Sequence, residues 1–252
     1  MDERSQVMSA EELVRYRRQL IIDGFDEAAQ LRLRSSTIAV LGVGGLGCPA
    51  ALYLAAAGVG HLVLIDDQVP EAANLNRQIL HWGTDVRASR TKVQSASWKL
   101  RELNENVHVD ARFGHLSKDN ISLLLGGSDL VLDCTDNFES RLVLNDFCVG
   151  HRIPLVHAGV EGLSGQVTTI VPGRTPCLRC IFPRPPRAGR ELPILGAAAG
   201  VFGSLQAAEA IKTVTGLGEP LLGRMMVGDL GSGRWEEVEI ARDPDCQACS
   251  RL

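Results

Sequence analysis

The chain has 252 residues, 45% hydrophobic and 22% charged, with a net charge of −4. That is enough for one large α/β domain with a sizeable core, and the mild acidity gives no electrostatic case for nucleic acid or an anionic membrane as partner. No stretch approaches the roughly 18 apolar residues of a membrane span, and Met1 to Gln19 lacks the apolar core of a signal peptide. A cytoplasmic location is expected, so the seven cysteines point to metal or chemistry rather than to a disulfide framework.

Ser9 with Glu12 makes a capping box, and Leu13, Tyr16 and Leu20 recur at helical spacing before Gly24. Thr37–Leu41 is a β-branched strand run that leads into Gly42-Val-Gly-Gly-Leu-Gly47 and an Ala/Leu-rich helix to Ala57. His61–Ile65 is a second strand and ends in Asp66-Asp67. Further strands are expected at Val107–Ala111, Leu130–Leu132, Pro154–Val160, Val167–Val171, Met225–Val227 and Trp235–Ile240. Helices are expected near Thr91–Leu103, Asp119–Leu125, Glu139–Val149 and Val201–Thr215. Strand–helix alternation over residues 1–160 predicts a Rossmann-like, doubly wound, mostly parallel sheet. Residues 161–252 lose the alternation and predict an antiparallel extension of the same domain, whose strand Trp235–Ile240 alternates as a half-exposed one does. Phe182–Arg190, rich in Pro and Gly, reads as an exposed loop.

The Gly42, Gly44 and Gly47 pattern follows a strand and opens a helix. It therefore supplies a tight turn and backbone N–H groups that approach phosphate at a helix N-terminus. Asp66, at the end of the next strand, is placed to bind ribose hydroxyls. On these residues alone NAD or FAD fits. Asn74-Leu-Asn-Arg77-Gln, Lys92 and Asp133-Cys-Thr-Asp136-Asn137 shift the reading, because cations and carboxylates at strand ends suit a triphosphate with Mg²⁺. Asp133 and Asp136 are not ranked by sequence alone, although Asp136 lies further out on its loop. Cys177-Leu-Arg-Cys180 and Cys246-Gln-Ala-Cys249 have the spacing of two half-sites that close one structural zinc tetrahedron, clasping the C-terminal tail to the start of the Pro-rich loop. Cys48, Cys134 and Cys148 read as buried structural thiols.

Arg15-Tyr-Arg-Arg18-Gln, the Gly-rich turn, Asn74-Leu-Asn-Arg77-Gln, Asp133-Cys-Thr-Asp136-Asn137, both Cys pairs and Gly203–Lys212 together resemble the sulfur-carrier adenylyltransferases of molybdopterin and thiamine synthesis, relatives of the ubiquitin-activating enzymes. The resemblance runs from about residue 12 to residue 250. It implies a homodimer that uses ATP to adenylate the C-terminal Gly carboxylate of a ubiquitin-like carrier ending in Gly-Gly, with the C-terminal sheet receiving the carrier. In that family pattern Gly45 backs the phosphates and Asp66 takes the ribose. Asn74, Arg77 and Lys92 hold the triphosphate, Asp136 acts through Mg²⁺ next to Asn137, and Arg18 reaches the partner subunit's site. There are two departures. Lys92 falls about two residues late, leaving Arg90 as an alternative cation, and Gly189–Leu195 lacks the cysteine that the family often carries on that loop. Adenylation needs no such thiol. The same residues also allow activation of a small-molecule or tRNA-borne carboxylate. An oxidoreductase leaves Arg77, Asp136 and both Cys pairs without a role. The pathway, whether molybdenum cofactor, thiamine or another sulfur metabolite, is not written in the sequence.

Overall fold

The computed structural model describes residues 7–184 and 192–250. Arg187, Arg190 and the start of the Gly189–Leu195 loop therefore lie outside the described residues. The capping box forms as expected: Glu12 N–H donates to Ser9 Oγ at 3.1 Å and Ser9 N–H to Glu12 Oε2 at 2.8 Å. The helix it starts, α1 (Ala10–Arg15), breaks at Tyr16 and resumes as α2 (Arg17–Leu20). At the break Tyr16 turns inward, buried, and its hydroxyl accepts from Asn104 Nδ2 at 2.9 Å. A helix that the sequence pattern does not announce, α3 (Glu27–Ser35), follows, capped by the Asp26 carboxylate on Ala29 N–H.

The alternating part comprises β1 (Thr37–Leu41), α4 (Gly47–Ala57), β2 (His61–Asp66), α5 (Gly83–Arg87), α6 (Lys92–Leu103), β3 (His108–Phe113), α7 (Ile121–Leu125), β4 (Leu130–Asp133), α8 (Phe138–His151) and β5 (Leu155–Glu161). The remainder is β6 (Ser164–Ile170), α9 (Leu178–Ile181), α10 (Gly196–Thr215), β7 (Arg224–Asp229) and β8 (Arg234–Glu239). One eight-stranded sheet runs in the order β3-β2-β1-β4-β5-β6-β7-β8, parallel through β5 and antiparallel beyond it. Its order reverses between β1 and β4, where helices leave to opposite faces and a crevice opens beyond the strand ends.

Period-two alternation sorts the core into two layers. Ile38, Val40, Leu62, Leu64, Leu130, Leu132 and Val156 face α4, α6 and α10. Ala39, Leu41, Val63, Ile65, Val131 and Leu155 face α7, α8 and α9. A slip of one residue in any central strand would exchange its two faces. The outermost strand is more open than expected: every residue of β8 is exposed, Val238 included, and Trp235 stays 44% exposed although its ring meets Phe202. Among the described residues no helix is long and apolar enough to cross a membrane.

Leu64 is fully buried on β2, whereas Leu123 on α7 is 80% exposed. Leu64→Ala is expected to lower unfolding free energy by about 2–5 kcal/mol, and Leu123→Ala by under about 0.5 kcal/mol, in urea titrations.

Candidate functional site

The Gly-rich turn sits at the sheet's switch point, between the ends of β1 and β4. Gly42 has φ +91°, and a Cβ there would lie 2.6 Å from the Cys134 carbonyl oxygen. A Cβ on Gly47 would overlap the Gly42 carbonyl oxygen. Only glycine lets β1 turn so sharply into α4 while β4 passes alongside. Asp66 closes the turn from β2: its Oδ2 accepts Val43 N–H at 2.8 Å and its Oδ1 accepts Gln68 N–H at 2.9 Å. Burial pushes the Asp66 carboxyl up, against the pull of Lys92 and those two amides.

Lys92 opens α6 with its side chain buried, and its ammonium donates to Gln68 Oε1 at 2.6 Å. Arg90, the alternative cation, is engaged elsewhere: its Nη1 lies 2.8 Å from Asp85 Oδ1 and its guanidinium stands over the Trp98 ring. Of the two, Lys92 is the one directed at the Asp66 side of the turn. Arg77 lies across the glycines, its Cγ 3.7 Å from where a Gly45 Cβ would be, with Nη1 donating to Ala73 O at 2.9 Å and Asn76 Oδ1 at 3.0 Å. Asn74 Oδ1 accepts Glu71 N–H at 2.9 Å, so its side chain shapes the loop from within in this state.

The two acids after β4 separate sharply. Asp133 is fully buried, ion-paired to Arg141 Nε at 2.9 Å, hydrogen-bonded to His157 Nδ1 at 2.7 Å, and it accepts from Thr135 Oγ1 at 2.6 Å. Burial opposes ionisation, but Arg141 and His157 overcome it and hold the carboxyl well below the usual range. Its capacity is spent, so the pair of carboxylates drawn from the sequence reduces to one that is available. Asp136 is exposed on the loop, with Asn137 Nδ2 at 3.4 Å, and Asn137 Oδ1 caps α8 on Ser140 N–H at 2.8 Å. Arg18 is exposed on α2 and makes no polar contact with the other described residues.

Three side chains that the sequence reading passes over border this site: Gln68, Gln78 and His81. The signal for Gln78 and His81 was their place directly after Arg77, on a loop that must fold back over the glycines. The start of α10 was also placed too late. The helix begins at Gly196, where a Cβ would overlap Asn76 O, and Ala199 lies 3.2 Å from a Gly45 Cβ position. The helix N-terminus thus packs directly on the Arg77 loop.

The four predicted zinc ligands converge. Cys177 and Cys246 sulfurs are 3.6 Å apart, Cys180 and Cys249 sulfurs 3.5 Å, and all four lie within 4.8 Å of one another. A zinc tetrahedron with about 2.3 Å bonds has sulfur edges of about 3.8 Å, so the cluster fits one zinc with no open position. Burial raises the Cys246 thiol, yet the Cys249 and Ala248 amides bring it down to about 7, the range in which a thiolate forms readily. Asn145 Oδ1 caps Leu178 N–H at 2.8 Å and Arg179 grips Asp146 with two bonds, docking the first pair on α8. A second group of ligand-type side chains, His61, His108 and Asp110 on the β2–β3 edge, already has its carboxylate paired with both imidazoles and with Arg112. Cys48 is fully buried with its thiol pushed up to about 12 by desolvation, and burial also raises Cys134 and Cys148.

Comparison with known proteins agrees with this geometry. Residues 16–248 match the model of the ThiF family. Protein HesA of Leptolyngbya boryana is 42% identical over 239 residues, 94% of this chain and 86% of its own. The adenylyltransferase and sulfurtransferase MOCS3 of Drosophila yakuba is 41% identical over 249 residues, but the chain spans only 54% of that protein. The structure of E. coli MccB with ATP superposes with a TM-score of 0.81 at 24% identity over 93% of this chain and 74% of that one, a likeness of fold.

Two outcomes follow from the acids and the sulfurs. Asp133→Asn is expected to destabilise the fold by about 3–5 kcal/mol, as loss of one partner of a buried pair does, while Asp136→Asn leaves thermal stability unchanged. Because the folded carboxyl of Asp133 is depressed, its contribution is present at neutral pH and is lost as pH falls below the unfolded value of about 4. The difference between wild type and Asp133→Asn in calorimetry should therefore shrink on acidification. Metal analysis of chelator-free protein should find one zinc per chain, and stripping it should lower the melting temperature and release four titratable thiols.

Proposed function

Because the chain belongs to the ThiF family of sulfur-carrier adenylyltransferases and is an ATP-dependent adenylyltransferase, we propose that its substrate is the C-terminal Gly carboxylate of a small ubiquitin-like sulfur carrier ending in Gly-Gly. What supports the reading is that the Gly-rich turn lies at the switch point of the sheet with Arg77 beside Gly45, Lys92 near Asp66 and Asp136 on the loop after β4, on a sheet whose β6–β8 surface leaves Leu163, Trp235 and Val238 exposed.

The carrier's carboxylate, already ionised at neutral pH, attacks the α-phosphorus of ATP in line and pyrophosphate leaves. No enzyme nucleophile or base is required, so this chain's residues supply position and charge. The N–H groups of Gly44 and Gly45 and the α4 N-terminus receive phosphate oxygens, Asp66 the ribose, and Asn74, Arg77 and Lys92 the triphosphate. The exposed Asp136, with Asn137 beside it, is the group that would hold Mg²⁺, which when bound neutralises phosphate charge. Each close cation–phosphate pair is worth about 4 kcal/mol at an effective dielectric near 20.

Arg18 supports a homodimer that shares its sites. Its neighbour Gln19 is tied to Ala57 O at 3.1 Å, at the C-terminal end of α4, whereas phosphate would bind at the N-terminal end. Eleven residues of helix separate the two by about 16 Å, so Arg18 is better placed to complete a partner's site than its own. The exposed Ile21 and Ile22 and a groove lined by Gln19, Tyr53, Ala56, Ser204 and Ile211 offer apolar surface for that partner. Cytoplasmic location and a single adenylyltransferase domain over 1–252 belong to the same reading. The alternative carboxylates, on a small molecule or a tRNA, would leave the exposed face of β8 without a purpose.

Arg77→Ala and Asp136→Ala are each expected to abolish carrier-dependent pyrophosphate exchange with unchanged circular dichroism; near-normal exchange in either would refute this site. Mixing Arg18→Ala with Arg77→Ala protein should restore part of the activity in heterodimers, and failure to do so in verified heterodimers would rule out sharing. Wild-type protein with carrier and ATP should show no reducible adduct on a non-reducing gel, since Cys48, Cys134 and Cys148 are buried with raised pKa and the other four cysteines form the metal cluster.

A further inference from the structure

The peptide joining Val43 to Gly44 is gripped from behind. His81, buried at 3% exposure, places Nε2 2.8 Å from Val43 O and Nδ1 3.1 Å from Ser95 Oγ. The hydrogen-bond inventory fixes which nitrogen carries the proton. Lys99 donates to Leu80 O at 2.5 Å and to Ser95 Oγ at 2.9 Å, and is itself held by Asp85. The Ser95 O–H has Leu80 O at 3.2 Å as well as His81 Nδ1 to donate to, so Ser95 leaves the tautomer open and the Val43 carbonyl decides it. Nε2 is the N–H nitrogen, which is what that carbonyl, an acceptor only, requires. That one demand selects the tautomer, and the bare Nδ1 faces Ser95 Oγ. Burial above all lowers the imidazole to about 4, with Lys92 and Lys99 adding to the effect, so Nδ1 remains an acceptor at neutral pH. The Cys48 thiol gives the same carbonyl a second, weaker donor at 3.4 Å.

In a trans peptide the C=O and N–H point in opposite directions. Pinning Val43 O inward therefore turns the Gly44 N–H outward, at the mouth of the turn. The Val43 N–H is taken by Asp66, and among the described residues the N–H groups of Gly44 and Gly45 have no protein acceptor. We propose that His81 is a positioning residue for the nucleotide, holding the Val43–Gly44 peptide so that the Gly44 N–H meets a phosphate oxygen of ATP, with Ser95, Lys99 and Asp85 behind it fixing the imidazole. This rests on the ATP reading above. It assigns a task to a residue that touches no substrate.

The test is titration calorimetry of the full-length protein with ATP–Mg²⁺ and, separately, with adenosine. His81→Phe keeps the volume but removes the donor. It should weaken ATP about 10- to 100-fold, the worth of a hydrogen bond to a charged group, and leave adenosine binding unchanged. His81→Gln, whose Nε2 can take the place of the imidazole Nε2, should recover most of the ATP affinity. Ser95→Ala, which removes the hydroxyl that faces Nδ1 and also receives Lys99, should show a smaller loss confined to ATP. Unchanged ATP affinity in a folded His81→Phe, or equal losses for ATP and adenosine, would overturn the proposal. If His81→Phe does not fold, a Ser95→Ala protein without selective loss overturns it equally. Wild-type protein that binds adenosine and ATP equally well would instead overturn the ATP reading itself.

Discussion

The rest of the site hangs on one close approach, that of Gly47 to the Gly42 carbonyl. No side chain larger than hydrogen fits there, and Gly42 itself must hold a positive φ under the passing carbonyl of Cys134. This contact folds the chain from β1 into α4 in a tight turn and aims the helix N-terminus at the crevice where the sheet order reverses. Every other element of the site is placed relative to that turn. Asp66 holds its amide from β2, Arg77 lies over Gly45, and Lys92 reaches in from α6 by way of Gln68.

Charge is distributed by the same geometry. Carboxylates that face the interior are saturated: Asp133 by Arg141, His157 and Thr135, and Asp85 by Lys99 and Arg90. A buried charge must be paired to be tolerated, and once paired it has no capacity left for a ligand. Asp136 and Arg18 stand at the rim with no ion-pair partner among the described residues, Arg77 makes contacts only within its own loop, and the buried Lys92 is met by the neutral Gln68 rather than by a carboxylate. Asp133 and Asp136 are three residues apart in one motif, yet one serves the fold and the other stands in solvent.

This division explains what was legible beforehand. The parallel half of the sheet, the glycine turn and the four-cysteine cluster could be read because each rests on local chemistry: a strand period, a glycine requirement, a ligand spacing. Asp133 against Asp136 could not be ranked, since burial at the end of β4 is decided by Arg141 and His157, residues 8 and 24 positions away. Arg90 and Lys92 could not be told apart for the same reason, because the engagement of Arg90 by Asp85 shows only in the fold. Helix α3 escaped because its buried positions, Ala29, Gln30 and Leu33, include a small and a polar residue. The start of α10 escaped because Gly196-Ala-Ala-Ala-Gly200 carries no amphipathic signal; Gly196 is small where the Arg77 loop crosses it, and Ala199 where Gly45 does.

Helix α10 is where the nucleotide crevice and the antiparallel strands become mechanically linked. Its first turn packs on the Arg77 loop and on Gly45. In its middle, Gln206 Nε2 donates to Asp133 O at 2.8 Å and Val156 O at 3.1 Å, spanning β4 and β5. Phe202, fully buried, fills the space left by Gly165 on β6 and meets the Trp235 ring of β8 at 5.7 Å. Toward its end the buried Glu209 accepts from Thr169 Oγ1 at 2.7 Å and Leu221 N–H at 2.8 Å. A close-packed helix transmits displacement rather than absorbing it. A partner seated on Trp235 would press through Phe202 on the same helix whose first turn supports Arg77, so the exposed strand surface and the Arg77 loop have one rigid element in common.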